Sequence, residues 1–312
     1  MIAVEVAAFG GPEVLRVVER AEPVPGPGEV LVRIEAVGVG WSDLLQREGA
    51  YPGGPTPPYV VGQEAAGVVV AWGPGASAPP LGAPVSVLAR SGLCAELAAV
   101  PAAACVAWPG APDAAQRAAL PIALLTAHHA LATCARAAPG ETSVIHAAAG
   151  GLGSIAVQVA RLLGQRVIAT CGPDKRAHVA GADVVCGYGE LGAAAQGGVD
   201  VVLDSVGGEA FRASVAVLRP LGRLVVVGAS SGVPQRIDPV KLVHRSHAVI
   251  GVHLRHLVER GALLERSLAA CLPWVAAGQV RARVAALPAR ELRAAHERLA
   301  ARRVIGKLVV TF

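Results

Sequence analysis

A glycine-rich turn between two apolar runs is the feature that most constrains how this chain can fold. Residues 142–175 read as a short apolar strand at 143–147, a turn with Gly150, Gly151 and Gly153, an amphipathic helix, and a second strand at 166–170. A glycine triplet alone is a weak signal. Here the strand before the turn, and the helix and strand after it, predict the first βαβ unit of a doubly wound parallel sheet.

The turn is suited to hold the pyrophosphate of a dinucleotide. Gly150 would let the backbone approach the phosphates closely, and Gly153 would let the helix pack tightly against the strand. The N-terminus of the helix adds N–H groups and a positive dipole end. We therefore predict cofactor contacts from Ala149, Gly150, Gly151, Leu152 and Gly153.

The end of the second strand predicts which dinucleotide is bound. An NAD site usually places an acidic residue about 20 residues after the first glycine, where it binds the ribose 2′-hydroxyl. This strand ends in Thr170, Cys171 and Gly172 without an acid, and Lys175 follows. A hydroxyl and an ammonium suit a 2′-phosphate, so Thr170, Cys171 and Lys175 predict NADPH. The alternative is that Lys175 is an ordinary solvated charge.

Composition excludes several classes of protein. The chain has 312 residues, of which 53% are apolar and 16% charged, so disorder is not expected. Breakers interrupt its apolar runs, which predicts no membrane span. Aromatic residues, at 3%, are too few for a nucleic-acid stacking platform. Six scattered cysteines without a C-x-x-C pair predict reduced thiols, so we expect a cytoplasmic protein with no nucleic-acid or membrane partner.

Three zones follow one another along the chain. The first contains short alternating apolar runs between Gly and Pro turns, which predicts an antiparallel β domain. The second alternates strands with helices, which predicts a parallel sheet. Residues 256–300 are predicted to be helical with breaks at Pro273 and Pro288, and the chain ends in a strand expected to pair with the β domain. The predicted domains are residues 1–118 with 256–312, and residues 119–255.

Four motifs, in this order, resemble those of the zinc-independent medium-chain dehydrogenases/reductases. They are His-Ala-Ala-Ala-Gly-Gly-Leu-Gly at 146–153, Val-Val-Leu-Asp-Ser-Val-Gly-Gly at 201–208, Leu-Gly-Arg-Leu-Val-Val-Val-Gly at 221–228 and Gly-Lys-Leu-Val-Val at 306–310. The subgroup they resemble comprises the quinone oxidoreductase-like enzymes and related enoyl reductases. The resemblance spans the whole chain. It implies an α/β fold with a Rossmann domain that binds NADPH and a GroES-like, mostly antiparallel β domain for substrate and catalysis.

The first zone bears on whether a metal takes part. Zinc-dependent members of the superfamily carry a catalytic Cys in a Gly-Val-Cys-x-x-Asp stretch and a His in a Gly-His-Glu stretch. Here Gly40 and Gln63 stand at those two positions, and neither is a suitable Zn²⁺ ligand. The four-cysteine structural zinc lobe is missing as well. We therefore expect no bound metal, and without a Lewis acid the oxidation of simple alcohols is disfavoured.

The reaction class that remains is hydride transfer to an acceptor that reacts without a metal. An enone or enoyl thioester accepts hydride at its β-carbon, and a quinone is the vinylogous form of the same acceptor. The resemblance implies that Tyr51 lies over the substrate cleft as the donor of a proton or of a hydrogen bond, and that Thr126 lies on the nicotinamide side of the cofactor. Alternatively, Tyr51 anchors its Pro-rich turn and Thr126 bonds back to a helix carbonyl. His128 and His129 point about 100° apart on a helix, so both cannot line one site.

The remaining cofactor contacts that the resemblance implies lie at strand ends and in the last strand. They are Tyr188, Ser205, Gly228, Ser230, Val252, His253 and Lys307. Lys307 could also be a plain surface lysine. The segment 175–181 is shorter than is usual in the family, so a truncated helix is expected there.

Two classes of function stay open. The first is an NADPH-dependent reductase of an enone or enoyl thioester, with quinone reduction as its rival. The second is an NADPH-binding regulatory or structural protein with incidental activity. Strands predicted at 223–227 and 249–252 lie late in the sheet, where relatives pair edge to edge, so the resemblance also implies a homodimer.

Overall fold

The computed structural model describes residues 1–110 and 112–312 and divides them into two units. The first comprises Met1–Ile122 and Val275–Phe312, and the second comprises Ala123–Trp274. The boundaries predicted at residues 119 and 256 differ from these, since residues 256–274 lie with the second unit. A single helix carries the chain through Pro273 to Ala276, so the break predicted at Pro273 is not observed.

The first unit consists mainly of strands. The strands of its N-terminal segment are β1 (Ile2–Val6), β2 (Leu15–Glu19), β3 (Glu29–Val39), β4 (Tyr59–Val60), β5 (Glu64–Trp72), β6 (Pro84–Leu88), β7 (Leu97–Pro101) and β8 (Cys105–Ala107). The same segment contains the helices α1 (Trp41–Arg47) and α2 (Ala114–Ala119). In β3, Val30, Val32 and Ile34 are buried while Arg33 is exposed, which is the period of two of a half-buried strand.

The second unit is a doubly wound parallel sheet. Its strands are β9 (Thr142–Ile145), β10 (Arg166–Thr170), β11 (Val184–Cys186), β12 (Val199–Asp204), β13 (Leu218–Val226) and β14 (Ala248–Gly251). They lie in the order β11-β10-β9-β12-β13-β14, and each neighbouring pair is parallel. This order is that of dinucleotide-binding sheets, so the predicted sheet is confirmed.

Helices precede, connect and follow these strands along the chain. They are α3 (Pro121–His128), α4 (Gly151–Leu162), α5 (Leu191–Ala194), α6 (Glu209–Val217), α7 (Pro239–Arg245), α8 (Leu254–Val258) and α9 (Gly261–Ala276). Val144, Ile168, Val202 and Leu224 of the central strands pack with Phe211 of α6 in one buried cluster. Of the helices formed by the described residues, none is long and apolar enough to cross a membrane.

The chain returns to the first unit in β15 (Val284–Pro288), α10 (Leu292–Ala300) and β16 (Lys307–Thr311). β16 pairs antiparallel with β3, which confirms that the last strand pairs within the β unit. The main sheet of this unit has the order β15-β16-β3-β5-β6-β8, with β7 also on β3, and a smaller sheet has the order β2-β1-β4. The helical prediction for 284–288 is wrong because β16 supplies a partner strand, and Pro288 is tolerated at the end of an edge strand.

Candidate active site

The glycine-rich turn lies at the carboxyl end of β9, in the middle of the parallel sheet. α4 begins at Gly151, and among the described residues no side chain caps its N-terminus at Gly150. A Cβ on Gly153 would lie 2.3 Å from the Ala147 carbonyl oxygen, so only glycine fits there without a backbone shift. The turn therefore combines an uncapped helix N-terminus with close packing, and both properties suit a bound phosphate.

Hydrogen bonds tie this turn to the neighbouring strands. The His146 N–H donates to Leu203 O at 3.1 Å, and the Ala148 N–H donates to Thr170 O at 3.0 Å. The carboxyl ends of β9, β10 and β12 are thus held together. In a doubly wound sheet, ligands bind at this edge.

A buried chain of side-chain hydrogen bonds links the same strand ends to α6. His146 Nδ1 lies 2.6 Å from Thr170 Oγ1, and His146 Nε2 lies 2.7 Å from Ser214 Oγ. Ser214 donates its one hydrogen to Ala210 O at 2.7 Å, so His146 donates through Nε2 and accepts from Thr170 through Nδ1. Burial lowers the pKa of His146 to about 4, which keeps the ring neutral. The Thr170 hydroxyl therefore has no hydrogen left for a phosphate, and we assign it to holding His146.

Two basic residues follow the end of β10. Lys175 and Arg176 lie on a short 3-10 helix, Pro173–His178, which agrees with the truncated helix expected from the sequence. Arg176 Nη2 donates to Glu190 Oε1 at 2.7 Å, and Arg176 Nε is buried with no hydrogen-bond partner among the described residues. Sequence reasoning selected Lys175 and missed Arg176, although the adjacent basic pair was a usable signal.

Cys171 and Tyr188 flank this segment. Cys171 is buried at the end of β10, and burial raises the pKa of its thiol. Tyr188 opens a short 3-10 helix after β11, and its ring lies 5.8 Å from the His146 ring. Both residues therefore lie at the edge of the sheet where the basic pair begins.

The other predicted residues of the second unit lie beyond β12, β13 and β14. Ser205 O accepts from the Ser230 N–H at 3.1 Å, and a Cβ on Gly228 would lie 3.5 Å from the same carbonyl oxygen. The Val252 N–H donates to the last residue of β13 at 2.9 Å, and His253 caps α8. The sheet brings all five to its carboxyl edge.

α3 carries Thr126, which is buried, and continues into a π-helical turn, His129–Cys134. The wide turn places His129 Nε2 at 3.5 Å from Cys134 Sγ. The Nδ1 atoms of His128 and His129 are buried without a hydrogen-bond partner in the described part of the chain, and burial lowers the pKa of both rings. Turns of this kind are frequent at functional sites, and nothing in the sequence predicted it.

In the first unit, four buried polar side chains form what we call the Lys307 cluster: Asp43, Gln63, Glu64 and Lys307. Lys307 Nζ, on β16, lies 2.5 Å from Glu64 Oε1, at the start of β5. Gln63 Nε2 donates to Asp43 Oδ1 at 3.1 Å and to Ser42 Oγ at 2.7 Å. Lys307 is only 7% exposed, so the alternative of a plain surface lysine is wrong.

The register of the main sheet assembles this cluster. Val39 of β3 pairs with Leu308 of β16, and Gly38 of β3 pairs with Glu64 of β5. Three strands far apart in sequence therefore converge beside Gly40, where β3 passes into α1. This convergence depends on strand pairing, which the sequence alone did not reveal.

Two carboxyl groups share one ammonium in this interior. Burial raises the pKa of Asp43 and of Glu64, and Lys307 opposes both shifts. Asp43 Oδ2 accepts the Gly40 N–H at 2.7 Å, and Glu64 Oε2 accepts the Ile122 N–H at 2.8 Å. Because two carboxyl groups and only one ammonium are buried here, the state in which one carboxyl keeps its proton is favoured over the state in which both are ionised.

Gln63 of the Lys307 cluster and the adjacent Gly40 stand at the positions that carry metal ligands in zinc-dependent members of the superfamily. Gly40 offers no ligand and Gln63 offers an amide, which is a poor partner for Zn²⁺. A Cβ on Gly40 would lie 3.3 Å from Lys307 Nζ, so the ammonium would repel a metal ion there. Nowhere in residues 1–110 and 112–312 do three His, Cys, Asp or Glu side chains group so as to hold a metal. These residues do not fit a zinc ion.

Tyr51 lies in the turn after α1 and is half-buried. Its N–H donates to Leu45 O at 3.1 Å, and its carbonyl accepts from the Gly54 N–H at 3.0 Å. The backbone of Tyr51 thus anchors the turn, while the role of its hydroxyl in catalysis stays a prediction.

Comparison with known proteins shows to which family the chain belongs. The alcohol dehydrogenase GroES-like domain matches residues 26–159, and the zinc-binding dehydrogenase family matches residues 180–310. The rat synaptic vesicle membrane protein VAT-1 homolog is 29% identical over 97% of this chain and 82% of that protein. Human quinone oxidoreductase is 32% identical over 81% of this chain and 80% of that protein.

Solved structures agree with the sequence relatives. The quinone oxidoreductase from Thermus thermophilus, described with its NADPH complex, superposes with a TM-score of 0.89 at 37% identity, and the match covers 100% of both chains. The GroES-like and Rossmann fold classes implied by the sequence motifs are therefore confirmed. This chain belongs to the medium-chain dehydrogenases/reductases, in their quinone oxidoreductase-like group.

Proposed function

We propose that this chain is an NADPH-dependent, metal-independent reductase that transfers hydride to the β-carbon of an α,β-unsaturated carbonyl compound, such as an enone or enoyl thioester. The Lys307 cluster carries this proposal. Gln63 of this cluster and the adjacent Gly40 stand where zinc-dependent members of the superfamily have metal ligands, and the Lys307 ammonium lies beside Gly40. An acceptor that reacts without a Lewis acid is therefore favoured.

The second unit supports NADPH as the cofactor. The uncapped N-terminus of α4 suits the pyrophosphate, and Lys175 and Arg176 at the end of β10 suit a 2′-phosphate. The Thermus thermophilus relative is described in a complex with NADPH. When bound, the cofactor supplies a hydride, and Thr126 is the residue proposed to contact its nicotinamide side.

The proposed reaction balances without a further reactant. A hydride, with its two electrons, bonds to the β-carbon, and the π electrons of the C=C bond move to give an enolate. A proton then bonds to the α-carbon, and the cofactor leaves as NADP⁺. Tyr51 or water supplies that proton.

Two other functions have support of their own. The human and Thermus thermophilus relatives are named quinone oxidoreductases, and a quinone accepts hydride by the same vinylogous chemistry. The rat relative is named a synaptic vesicle membrane protein VAT-1 homolog, a name that states no reaction, so a regulatory or structural role is kept as the second candidate.

We also propose a homodimer that forms along β14. This strand is at the edge of its sheet, and α7, which precedes it, exposes Val240 and Val243. An unpaired apolar edge is an aggregation liability, and pairing across a two-fold axis removes it. Light scattering should give a dimer mass for the wild type and a monomer mass for Val243→Glu, whereas a monomeric wild type would contradict the proposal.

The six cysteines are free thiols, in keeping with a proposed cytoplasmic location.

A side-by-side screen tests the function. Oxidation of NADPH is followed spectrophotometrically with a crotonyl-type thioester, a simple enone and a quinone, and each reaction is repeated with NADH. We expect turnover of an unsaturated carbonyl compound with NADPH and much slower turnover with NADH. Turnover of quinones alone would favour the rival activity, and tight NADPH binding without any turnover would favour the regulatory role.

A further inference from the structure

Gly40 leaves the edge of the Lys307 cluster without a side chain, and we call this position the Gly40 notch. A Cβ at this position would lie 3.3 Å from Lys307 Nζ, 3.6 Å from Asp43 Oδ2 and 3.7 Å from Ser42 Oγ. Gly40, Trp41 and Ser42 are half-buried, so the notch reaches the surface of the first unit. An ammonium, a carboxyl and a hydroxyl therefore surround a space that no side chain of residue 40 fills.

Two of these groups have hydrogen-bond donors to offer. The Lys307 ammonium carries three N–H bonds and forms an ion pair with Glu64 Oε1. Ser42 Oγ accepts from Gln63 Nε2 at 2.7 Å, which leaves the hydroxyl hydrogen of Ser42 for another acceptor. The carboxyl is already occupied, because Asp43 accepts from the Gly40 N–H and from Gln63. The notch is thus built to receive an oxygen atom that accepts hydrogen bonds.

We propose that the Gly40 notch binds the carbonyl oxygen of the substrate, with the Lys307 ammonium and the Ser42 hydroxyl as its hydrogen-bond donors. This inference rests on the proposed function and deepens it, because it names the groups that stabilise the enolate. As hydride adds to the β-carbon, negative charge develops on the carbonyl oxygen. A buried cation stabilises that charge far more than a solvated one and needs no metal to do so.

The surroundings of Lys307 keep its ammonium in place. Glu64 holds it at 2.5 Å, and Asp43 is the other acidic group of the cluster. Burial disfavours two ionised carboxyls here, so the field at the notch is not dominated by negative charge. Lys307 is thereby a catalytic residue of the proposed reaction, and Glu64 is a positioning residue that acts through it.

Gly40→Ala tests the notch with a single methyl group. The backbone of Gly40 is extended, with φ −127° and ψ 172°, so alanine causes no backbone strain, and its methyl group would press on the Lys307 ammonium at 3.3 Å. We expect at least a tenfold loss of kcat/KM for the unsaturated carbonyl substrate, with an unchanged dissociation constant for NADPH. Gly26→Ala is the matched control, because its Cβ would lie at the same 3.3 Å from a charged atom, Glu29 Oε2, at a turn that belongs to neither site.

A second variant tests the cation itself. Lys307→Met combined with Glu64→Gln removes both charges of the ion pair while keeping side chains of similar size, so no unpaired charge stays buried. Loss of one preorganised oxyanion donor typically lowers kcat by about 10²–10³-fold. We expect a loss of this size in kcat, with little change in KM. Wild-type kcat in the double variant, or wild-type kcat/KM in Gly40→Ala, would overturn the inference.

A probe that does not turn over separates this inference from the proposed function. 4-Nitrophenol is titrated against the wild type, Gly40→Ala and the double variant, and the absorbance of the bound phenolate gives its apparent pKa. We expect a lower pKa for the probe bound to the wild type than to either variant. If the wild type reduces no unsaturated carbonyl compound but lowers this pKa, the proposed function fails and the oxyanion site stands. If the probe fails to bind, or its pKa is equal in all three proteins, the oxyanion site is refuted whatever the turnover.

Discussion

Gly153→Ala adds one methyl group at the tightest point of the glycine-rich turn. The added carbon would lie 2.3 Å from Ala147 O and 2.7 Å from both Ala147 C and Ala148 Cα. Ordinary contacts between such atoms are about 3.5 Å, so α4 must move away from the turn by about 1 Å. All three neighbours are backbone atoms, so no side-chain rotation can relieve the contact.

The expected magnitude follows from two opposing effects. Overpacking of this kind costs about 1–3 kcal/mol. The better helix propensity of alanine offsets up to about 1 kcal/mol of that cost. We therefore expect the free energy of unfolding to fall by roughly 1–2 kcal/mol. Because the N-terminus of α4 shifts relative to the turn, NADPH should bind at least about tenfold more weakly.

Urea denaturation and calorimetric titration with NADPH measure the two effects. Gly192→Ala is the control, because this glycine lies in α5 with open space around the position of its Cβ. The control should be neutral or stabilising by up to about 1 kcal/mol, with unchanged NADPH affinity. If Gly153→Ala matches the wild type in both measurements, the close packing of turn and helix does not determine phosphate binding.

Three further predictions concern single side chains. Lys175→Ala should weaken NADPH binding by roughly tenfold or more, since a charge-assisted hydrogen bond contributes about 1.5–3 kcal/mol before screening by solvent. It should leave NADH binding nearly unchanged. An equal loss of affinity for both cofactors in calorimetry would argue against a 2′-phosphate contact. Tyr51→Phe should lower turnover by about 10²-fold or more, or alter the stereochemistry at the α-carbon, without affecting NADPH affinity; an unchanged rate and product would leave water as the acid. Burial depresses the pKa of His146 from 6.5 to about 4. The neutral His146 therefore contributes fully to the free energy of unfolding above pH 6.5, and about 3 kcal/mol of this contribution is lost as the pH falls toward 4. Denaturation at a series of pH values should show His146→Gln lacking this part of the acid slope, and an identical slope in both proteins would be evidence against a buried neutral histidine.

The parallel sheet was predictable because each of its strands is a local apolar run. The strand at 166–170 is observed with the same bounds, as Arg166–Thr170. The strand predicted at 143–147 ends earlier, at Ile145, because Ala147 already adopts the positive φ of 50° that opens the turn. Local patterns thus identify strands well and their ends less well.

The features that sequence reasoning missed depend on contacts between distant residues. β15 was predicted to be helical, since Val284–Pro288 is too short for its period to decide without knowledge of its partner β16. The ion pair of Lys307 with Glu64 joins the last strand to β5 and leaves no trace in local composition. Family resemblance selected Lys307 as a candidate, but only the sheet register shows that it lies beside Gly40.

The central claim is that hydride passes from NADPH to the β-carbon without a metal. The most direct measurement uses NADPH deuterated at the transferred position, an enone or crotonyl-type thioester and excess chelator, and locates the deuterium in the product by NMR. We predict one deuterium at the β-carbon, none at the α-carbon or the carbonyl carbon, and the same rate with and without chelator. Deuterium at the carbonyl carbon, or a rate that disappears with chelator and returns with zinc, would contradict the account.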